Sequence, residues 1–484
     1  MKKLILPFCL VASMMSCSDD AKKEVIEESK VVLKNYSVNE ALMKALPGFE
    51  TLEITTLISS DDKLTETPNF VFGAQPDGAS LIKNPAGKGY ILINNHEITQ
   101  SVSRVYLDET LKPIKGDYLV DYNGGGMRLC SATMATPEEH GFGPIFLTAG
   151  ESGAESMVHA IDPLGSASDK SRKDRVLPAL GKCSMENAVP LPKNAYPGKT
   201  VIIIGEDGGD GQVIAYISDK VGDLQNGKLY ALRLVSQNPV ETDIAKGNEY
   251  SVEFVELVGA KDLTGVAIAA KTKELRAISF ARVEDVDYGK GSDAAGREVY
   301  FVATGVSQAD KISPVPNYTM WGRLYQLSMD ATNPLKGKLK MLMDGGENPG
   351  NSIVNPDNVC VTKNFVYVQE DGDSFYKETK HDGRIWQYNI ATKANTPMLE
   401  MNHQRTNAVF NAKYNTVNSS LLSSWEYGAM LDISDVIGKP NTFLVNIHPH
   451  TWQEAKFANP DGGGAALNVN KEGGQTLIVR GIAK

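Results

Sequence analysis

The chain has 484 residues, 42% of them hydrophobic, with 44 glycines and 23 prolines, which suits one large β-rich domain or two ordinary ones. Its formal net charge of −10 and pI near 5.4 exclude a nucleic-acid surface, because phosphate-backbone binding needs a basic patch. A phosphorylated small molecule is not excluded, since bound cations reverse the local sign.

In chain order, Met1-Lys2-Lys3 and the apolar run Leu4 to Met15 read as the n- and h-regions of an export signal over residues 1–16. Ser16-Cys17 resembles a lipobox, making Cys17 the expected lipidation site, although Met14 and Met15 are unusual before it. Residues 18 to about 40 are charged with few large apolar side chains, and 17–47 are expected to be lipid anchor and linker. The expected location is the outer membrane or cell surface, with a periplasm-facing anchor as the other possibility. Lipid is the only membrane contact expected, and the body is expected to be a monomer.

From residue 48 to 484 short apolar runs recur between Gly, Asp, Asn and Pro, the signature of strands joined by tight turns. Examples are Gly89 to Asn94, Pro144 to Thr148, Thr200 to Gly205, Glu298 to Ala303 and Asn364 to Gln369. A turn glycine, a polar residue and a β-rich run repeat at Gly211, Gly227, Gly322 and Gly383, like strands of propeller blades. Convincing helical periodicity is hard to find after residue 50. The expected class is all-β, a propeller with irregular loop insertions; a pair of β-sandwiches is the structural alternative.

Several strands end in acidic or amide clusters: Asn94 to Glu97, Glu151, Glu206 to Asp210, and Glu370 to Asp373. Asp-Gly is ordinary turn chemistry, but equivalent strand ends of a propeller converge near its axis. Several carboxylates gathered there repel one another, and a multivalent cation relieves that. The run Gly205 to Gly211 lacks the terminal Glu of an EF-hand loop and sits between strands, so that reading fails.

Of the five cysteines, Cys9 and Cys17 lie in the leader, leaving Cys130, Cys183 and Cys360. Three in an oxidising compartment means at least one free thiol. Cys183 and Cys360 read as a disulfide or as buried inert thiols. Cys130 follows the triplet Gly124 to Gly126 and is a candidate ligand or nucleophile; among carboxylates, a thiolate suits a transition metal such as iron better than a pure calcium site. His448-Pro449-His450 could bind metal, but an isolated pair near a strand end is more often structural or solvent-facing. Trp425 and Trp452 read as blade packing. Serine-hydrolase, P-loop, zincin and dinucleotide motifs are absent.

Taken in order, these segments resemble the PhoX-type alkaline phosphatases over most of the chain. Asn95-His96-Glu97, the stretch from Cys130 to Glu151, Gly181 to Glu186 before Gly205-Glu206-Asp207, Arg282-Val283-Glu284, Pro356-Asp357-Asn358 and Phe443 to Pro449 carry the likeness. Met185 replaces a usual His, Val283 replaces Pro, and Glu138 to Gly143 are extra. The resemblance implies a six-bladed propeller with ferric iron and calcium on its axis, hydrolysing small phosphate esters. It implies that Cys130, Glu151, Glu186 and Glu284 bind iron or iron with calcium, and that Glu206, Asp207, Asp357 and Glu370 hold calcium. Asn95 and Arg282 would contact phosphate oxygens, Arg282 through its planar fork. Two rivals remain: a calcium-dependent propeller hydrolase of the lactonase or phytase kind, and a non-catalytic surface-binding lipoprotein.

Overall fold

The computed structural model describes residues 29–167, 175–308, 313–416, 425–461 and 471–484. The expected signal at 1–16 and the lipidation site Cys17 lie outside the described residues.

Strand-forming runs behave as their composition requires. In Thr200–Glu206 every residue from Thr200 to Gly205 is buried. Val201 and Ile203 belong to one hydrophobic cluster and Ile202 and Ile204 to another, so alternate side chains of one strand feed the cores on its two faces. Each such fully buried aliphatic side chain contributes about 1.5–3 kcal/mol. The cores therefore lie between neighbouring sheets, as in a propeller.

Six strands lie innermost: Pro76–Lys83, Leu129–Ala135, Met185–Pro190, Val283–Tyr288, Pro356–Val361 and Glu426–Asp432. Each packs against the next, and the sixth packs against the first, closing a ring. An antiparallel meander runs outward from each. The described residues form five hydrogen-bonded sheets around this axis, because the third and fourth meanders merge into one nine-stranded sheet. Their outer strands Glu249–Glu256 and Lys336–Asp344 pair edge to edge, with Lys340 Nζ 2.9 Å from Glu249 Oε2. This pairing removes two exposed edges. Six blades are thus counted only by dividing that sheet at its edge junction.

The four glycine-led phrases each open a strand, at Val213–Ser218, Lys228–Leu234, Arg323–Met329 and Arg384–Asn389. Strand Glu53–Ser59 pairs with Gln475–Arg480 and closes the last sheet. Residues 29–47 are more than a linker: Leu42 is fully buried, and Met43–Ala45 adds an edge strand against Asn395–Met401. One ten-residue helix, Gly265–Glu274, lies among the strands without a convincing periodicity in the sequence. Thr264 Oγ1 caps it by accepting from Ala267 N, and only Gly265, Ile268 and Thr272 are buried, too few to print a periodic signal. Cys130, Cys183 and Cys360 are all free and buried, so the second reading of the latter two holds. Trp425 and Trp452 are fully buried in one core cluster, as expected.

Candidate metal centre

Each inner strand begins with a break in its pairing to the second strand of its sheet. The register jumps between Pro76 and Ala79, Leu129 and Ala132, Met185 and Ala188, Val283 and Val286, Pro356 and Val359, and Tyr427 and Met430. A bulge of this kind bends the strand and re-aims its side chains. The first residue inside the break is Asp77, Cys130, Glu186, Glu284 or Asp357 in five of the strands, and all five line one cavity. In the sixth it is Gly428, where a Cβ would lie 2.5 Å from Pro76 O and 2.8 Å from His448 Nε2. That space belongs to the imidazole, and Glu426 lines the cavity from two residues earlier.

The second strands supply another tier from their ends. Glu97, Glu151, Asp207 and Asp371 follow Tyr90–His96, Ile145–Gly150, Thr200–Glu206 and Phe365–Glu370, and His448 ends Thr442–His448. Gln75, Arg128, Arg282 and His450 complete a cavity of about 260 Å3, room for several ions and a phosphate-sized group.

The second residues of the breaks line a second axial cavity of about 250 Å3. In its lining, Asn187 Nδ2 donates to Asp285 Oδ1 at 2.6 Å, and Val359 N donates to Asp285 Oδ2 at 3.1 Å. Ser131 Oγ donates to the Asn358 amide oxygen at 2.8 Å.

The cavity gathers Cys130, Glu151, Glu186, Asp207, Arg282, Glu284 and Asp357 from the residues expected of the site. Cys130 Sγ lies 3.4 Å from Glu151 Oε2, and their pairing across a hairpin is indifferent to the extra residues Glu138 to Gly143 at its far end. Three expected residues stand outside the lining. Asn95 is fully buried behind it, donating through Nδ2 to Thr148 Oγ1 at 2.6 Å and to the Cys130 carbonyl, so it braces the thiol strand. Glu370 accepts from Val354 N (2.8 Å) and Trp386 Nε1 (2.6 Å) with one oxygen and from Arg384 N (2.8 Å) with the other. Glu206 yields the cavity to its neighbour Asp207 because adjacent residues of an extended chain point apart. The reading of His448 and His450 as structural or solvent-facing needs correction. Both line the cavity, and each faces Glu426 Oε1, His448 Nδ1 at 2.5 Å and His450 Nε2 at 3.3 Å.

Burial first, then mutual repulsion, pushes Asp77, Glu186, Asp357 and Asp371 well above the usual carboxylate range. Glu284 rises the same way, from burial and from Asp207, even with Arg282 beside it. Glu151 is raised to about 8 by burial and by Asp207. Burial and the surrounding carboxylates raise the Cys130 thiol as well. Two groups go the other way despite burial: Arg282 holds Asp207 down, and His450 and His448 hold Glu426 well below its ordinary value. Arg282 Nε lies 2.7 Å from Asp207 Oδ1 and its Nη2 2.8 Å from Glu284 Oε1, on a backbone with φ of 63°. Arg128 Nη1 lies 2.8 Å from Glu97 Oε1.

Two arginines and two imidazoles leave most of this acidity uncompensated. The ligand atoms of Asp77, Cys130 and Glu186, of Glu97, Cys130 and Glu151, and of Glu186, Glu284 and Asp357 lie within 4.8 Å of one another in each triad. Cys130 and Glu186 each serve two triads, a geometry suited to adjacent ions. Asp77 Oδ1 is buried without a hydrogen-bond partner. Oxygen donors around a single thiolate fit hard cations together with a softer transition metal.

Residues 157–421 match the family model described as alkaline phosphatase PhoX. No curated protein matches the chain. Among solved structures, the chain is similar to Pseudomonas fluorescens PhoX in complex with vanadate, a transition state analogue, with a TM-score of 0.60 at 15% identity over 93% of this chain and 99% of that one. It is more distantly similar to an α-L-arabinofuranosidase from Fusarium graminearum, with a TM-score of 0.37 at 12% identity over 84% and 93%. A PQQ-bound aldose sugar dehydrogenase from Streptomyces coelicolor gives 0.35 at 11% identity over 89% and 99%.

Proposed function

The chain belongs to the PhoX alkaline phosphatase family and is by that membership a phosphoester hydrolase, and from that premise we propose that its axial cavity hydrolyses small phosphate esters with a resident centre of iron and calcium. The observation that carries this reading is the convergence of one side chain from each of five bulged inner strands, four acids and a thiol, on one cavity.

Cys130, flanked by Asp77, Glu186, Glu97 and Glu151, would hold iron. Glu186, Glu284 and Asp357 would complete the iron site and share calcium, with Asp207 and Asp371 as further oxygen donors from the cavity wall. When bound, the ions supply Lewis-acid charge to the phosphoryl group.

The chain's own contribution is orientation. Arg282 is fixed by Asp207 and Glu284 through Nε and Nη2, which leaves Nη1 as the guanidinium nitrogen for a phosphoryl oxygen. Arg128 is a second cation at the same wall, held by Glu97 with its side chain 46% exposed. Fixed donors aimed at phosphoryl oxygens stabilise the charge of an in-line displacement without reorganising. Asn95 holds the Cys130 carbonyl and so positions the thiol strand. The export signal and Cys17 would place this activity at the outer membrane or cell surface.

The test is p-nitrophenol release from p-nitrophenyl phosphate and bis-p-nitrophenyl phosphate at alkaline pH, using the purified full chain loaded with iron and calcium. Turnover of either ester is the expected result. Failure with both rejects the proposal, and calcium without iron in the active protein favours the calcium-only hydrolase.

A further inference from the structure

We propose that Glu426, His448 and His450 form a nitrogen-containing transition-metal subsite within the cavity, chemically distinct from its carboxylate and thiolate part. The inference rests on the cavity being a metal centre, but not on the ester chemistry assigned to it.

The three residues come together through strand pairing. Glu426 and His448 are register partners across the hairpin of the last sheet, and His450 follows after Pro449. Their ligand atoms lie within 4.8 Å of one another. Both imidazoles approach the same oxygen, Glu426 Oε1, and the rings stand 5.9 Å apart at 85°.

Hydrogen bonding alone leaves this arrangement incomplete. His448 is 2% exposed and its Nε2 has no partner. Glu426 Oε1 can accept an N–H from each ring, so its own contacts are satisfied by protons, but His448 Nε2 is left over on the buried cavity wall. A cation that replaces the protons facing Glu426, or that sits on Nε2 with Glu426 steadying the other ring nitrogen, makes the imidazoles ligands.

The surroundings of His450 point the same way. Its other ring nitrogen, Nδ1, lies 3.0 Å from Glu472 Oε2, and that oxygen accepts from Gln75 Nε2 at 2.8 Å. A carboxylate on the far nitrogen fixes the tautomer and orientation of a ligating imidazole and raises its basicity. Two imidazoles and one carboxylate suit zinc, copper, nickel or ferrous iron; calcium takes oxygen ligands. The subsite would therefore take a transition metal where the rest of the cavity also accommodates calcium.

The probe is Cu2+ added to the untagged full chain, followed by equilibrium dialysis and electron paramagnetic resonance. The wild type should bind Cu2+ with hyperfine splitting from two nitrogens. His450→Gln should lose one nitrogen coupling and bind at least about tenfold more weakly. Glu472→Gln, which leaves all three ligands in place, should weaken binding by about 10–100-fold. Cys130→Ser should leave the nitrogen signal intact, and wild-type circular dichroism in each variant establishes folding. Unchanged Cu2+ affinity and splitting in both His448→Gln and His450→Gln would overturn the subsite, as would displacement of Cu2+ by equimolar Ca2+. Nitrogen-coupled binding in a protein that releases no phosphate would leave this inference standing and sink the phosphatase reading instead.

Discussion

The Cys130 thiol donates to the Glu151 carboxylate at 3.4 Å although the two residues are 21 positions apart, because one begins and the other follows the strands of a single hairpin. Each lies within a triad that also includes Glu97. Cys130→Ser keeps the size and loses the soft ligand. The purified variant is expected to retain at least about tenfold less iron, with phosphate release falling in parallel. Elemental analysis beside an activity assay checks this, and wild-type iron content would disprove the ligand role.

Stability of the chelator-stripped protein should fall as pH rises. Asp77, Glu186, Asp357 and Asp371 are pushed up by burial and repulsion, and Glu151 moves from 4.5 to about 8. A raised folded-state value means that the folded protein binds protons the unfolded chain has released. The associated stability is therefore full below the unfolded value and lost as pH rises through the folded one. Between about pH 4.5 and 8 the melting temperature of stripped protein should decline. Restored iron and calcium should flatten that decline, and identical pH profiles with and without chelator would contradict the assignment.

Arg282→Lys preserves charge but not the fork that spans Asp207 and Glu284. A loss of about a hundredfold in kcat/KM is expected, the scale of removing one oriented donor. Metal content should stay at the wild-type level. A variant within about twofold of wild type would remove Arg282 from phosphoryl binding.

Glu370→Gln separates a brace from a ligand. Three N–H donors converge on the Glu370 oxygens, and an amide nitrogen cannot accept any of them. The substitution should cost about 1–3 kcal/mol of stability, read from denaturant melts. Calcium content should be unchanged, whereas loss of one calcium ion per chain would restore Glu370 to the ligand set.

The convergence of acidic strand ends was legible in the sequence, since Glu97, Glu151, Asp207 and Asp371 come from the four clusters noticed there. Which residue of each cluster enters the cavity was not. Side chains alternate along a strand, so Glu206 and Asp207, or Glu370 and Asp371, differ in direction by one step that composition does not reveal.

Asp77 was missed for another reason. The inner strands break their own periodicity with bulges, and the signal lies in a repeat: Pro76-Asp77-Gly78, Leu129-Cys130-Ser131, Met185-Glu186-Asn187, Val283-Glu284-Asp285 and Pro356-Asp357-Asn358. Each is an apolar residue or proline, a ligand type, then a small or polar residue. The His448 and His450 pair looked isolated because its partner Glu426 is brought alongside only by strand pairing.

Strand Glu53–Ser59 meets Gln475–Arg480, and Pro76–Lys83 meets Glu426–Asp432, so the ring is sealed by segments from opposite ends of the described chain. A nascent chain can form its early meanders one by one, but Asp77 cannot face Glu426 until the last sheet has arrived. Topologies that depend on such distant pairing fold slowly. Ring closure and ion binding would then be linked: any ion that the closed cavity binds adds its binding free energy to the contacts that hold the first and last sheets together.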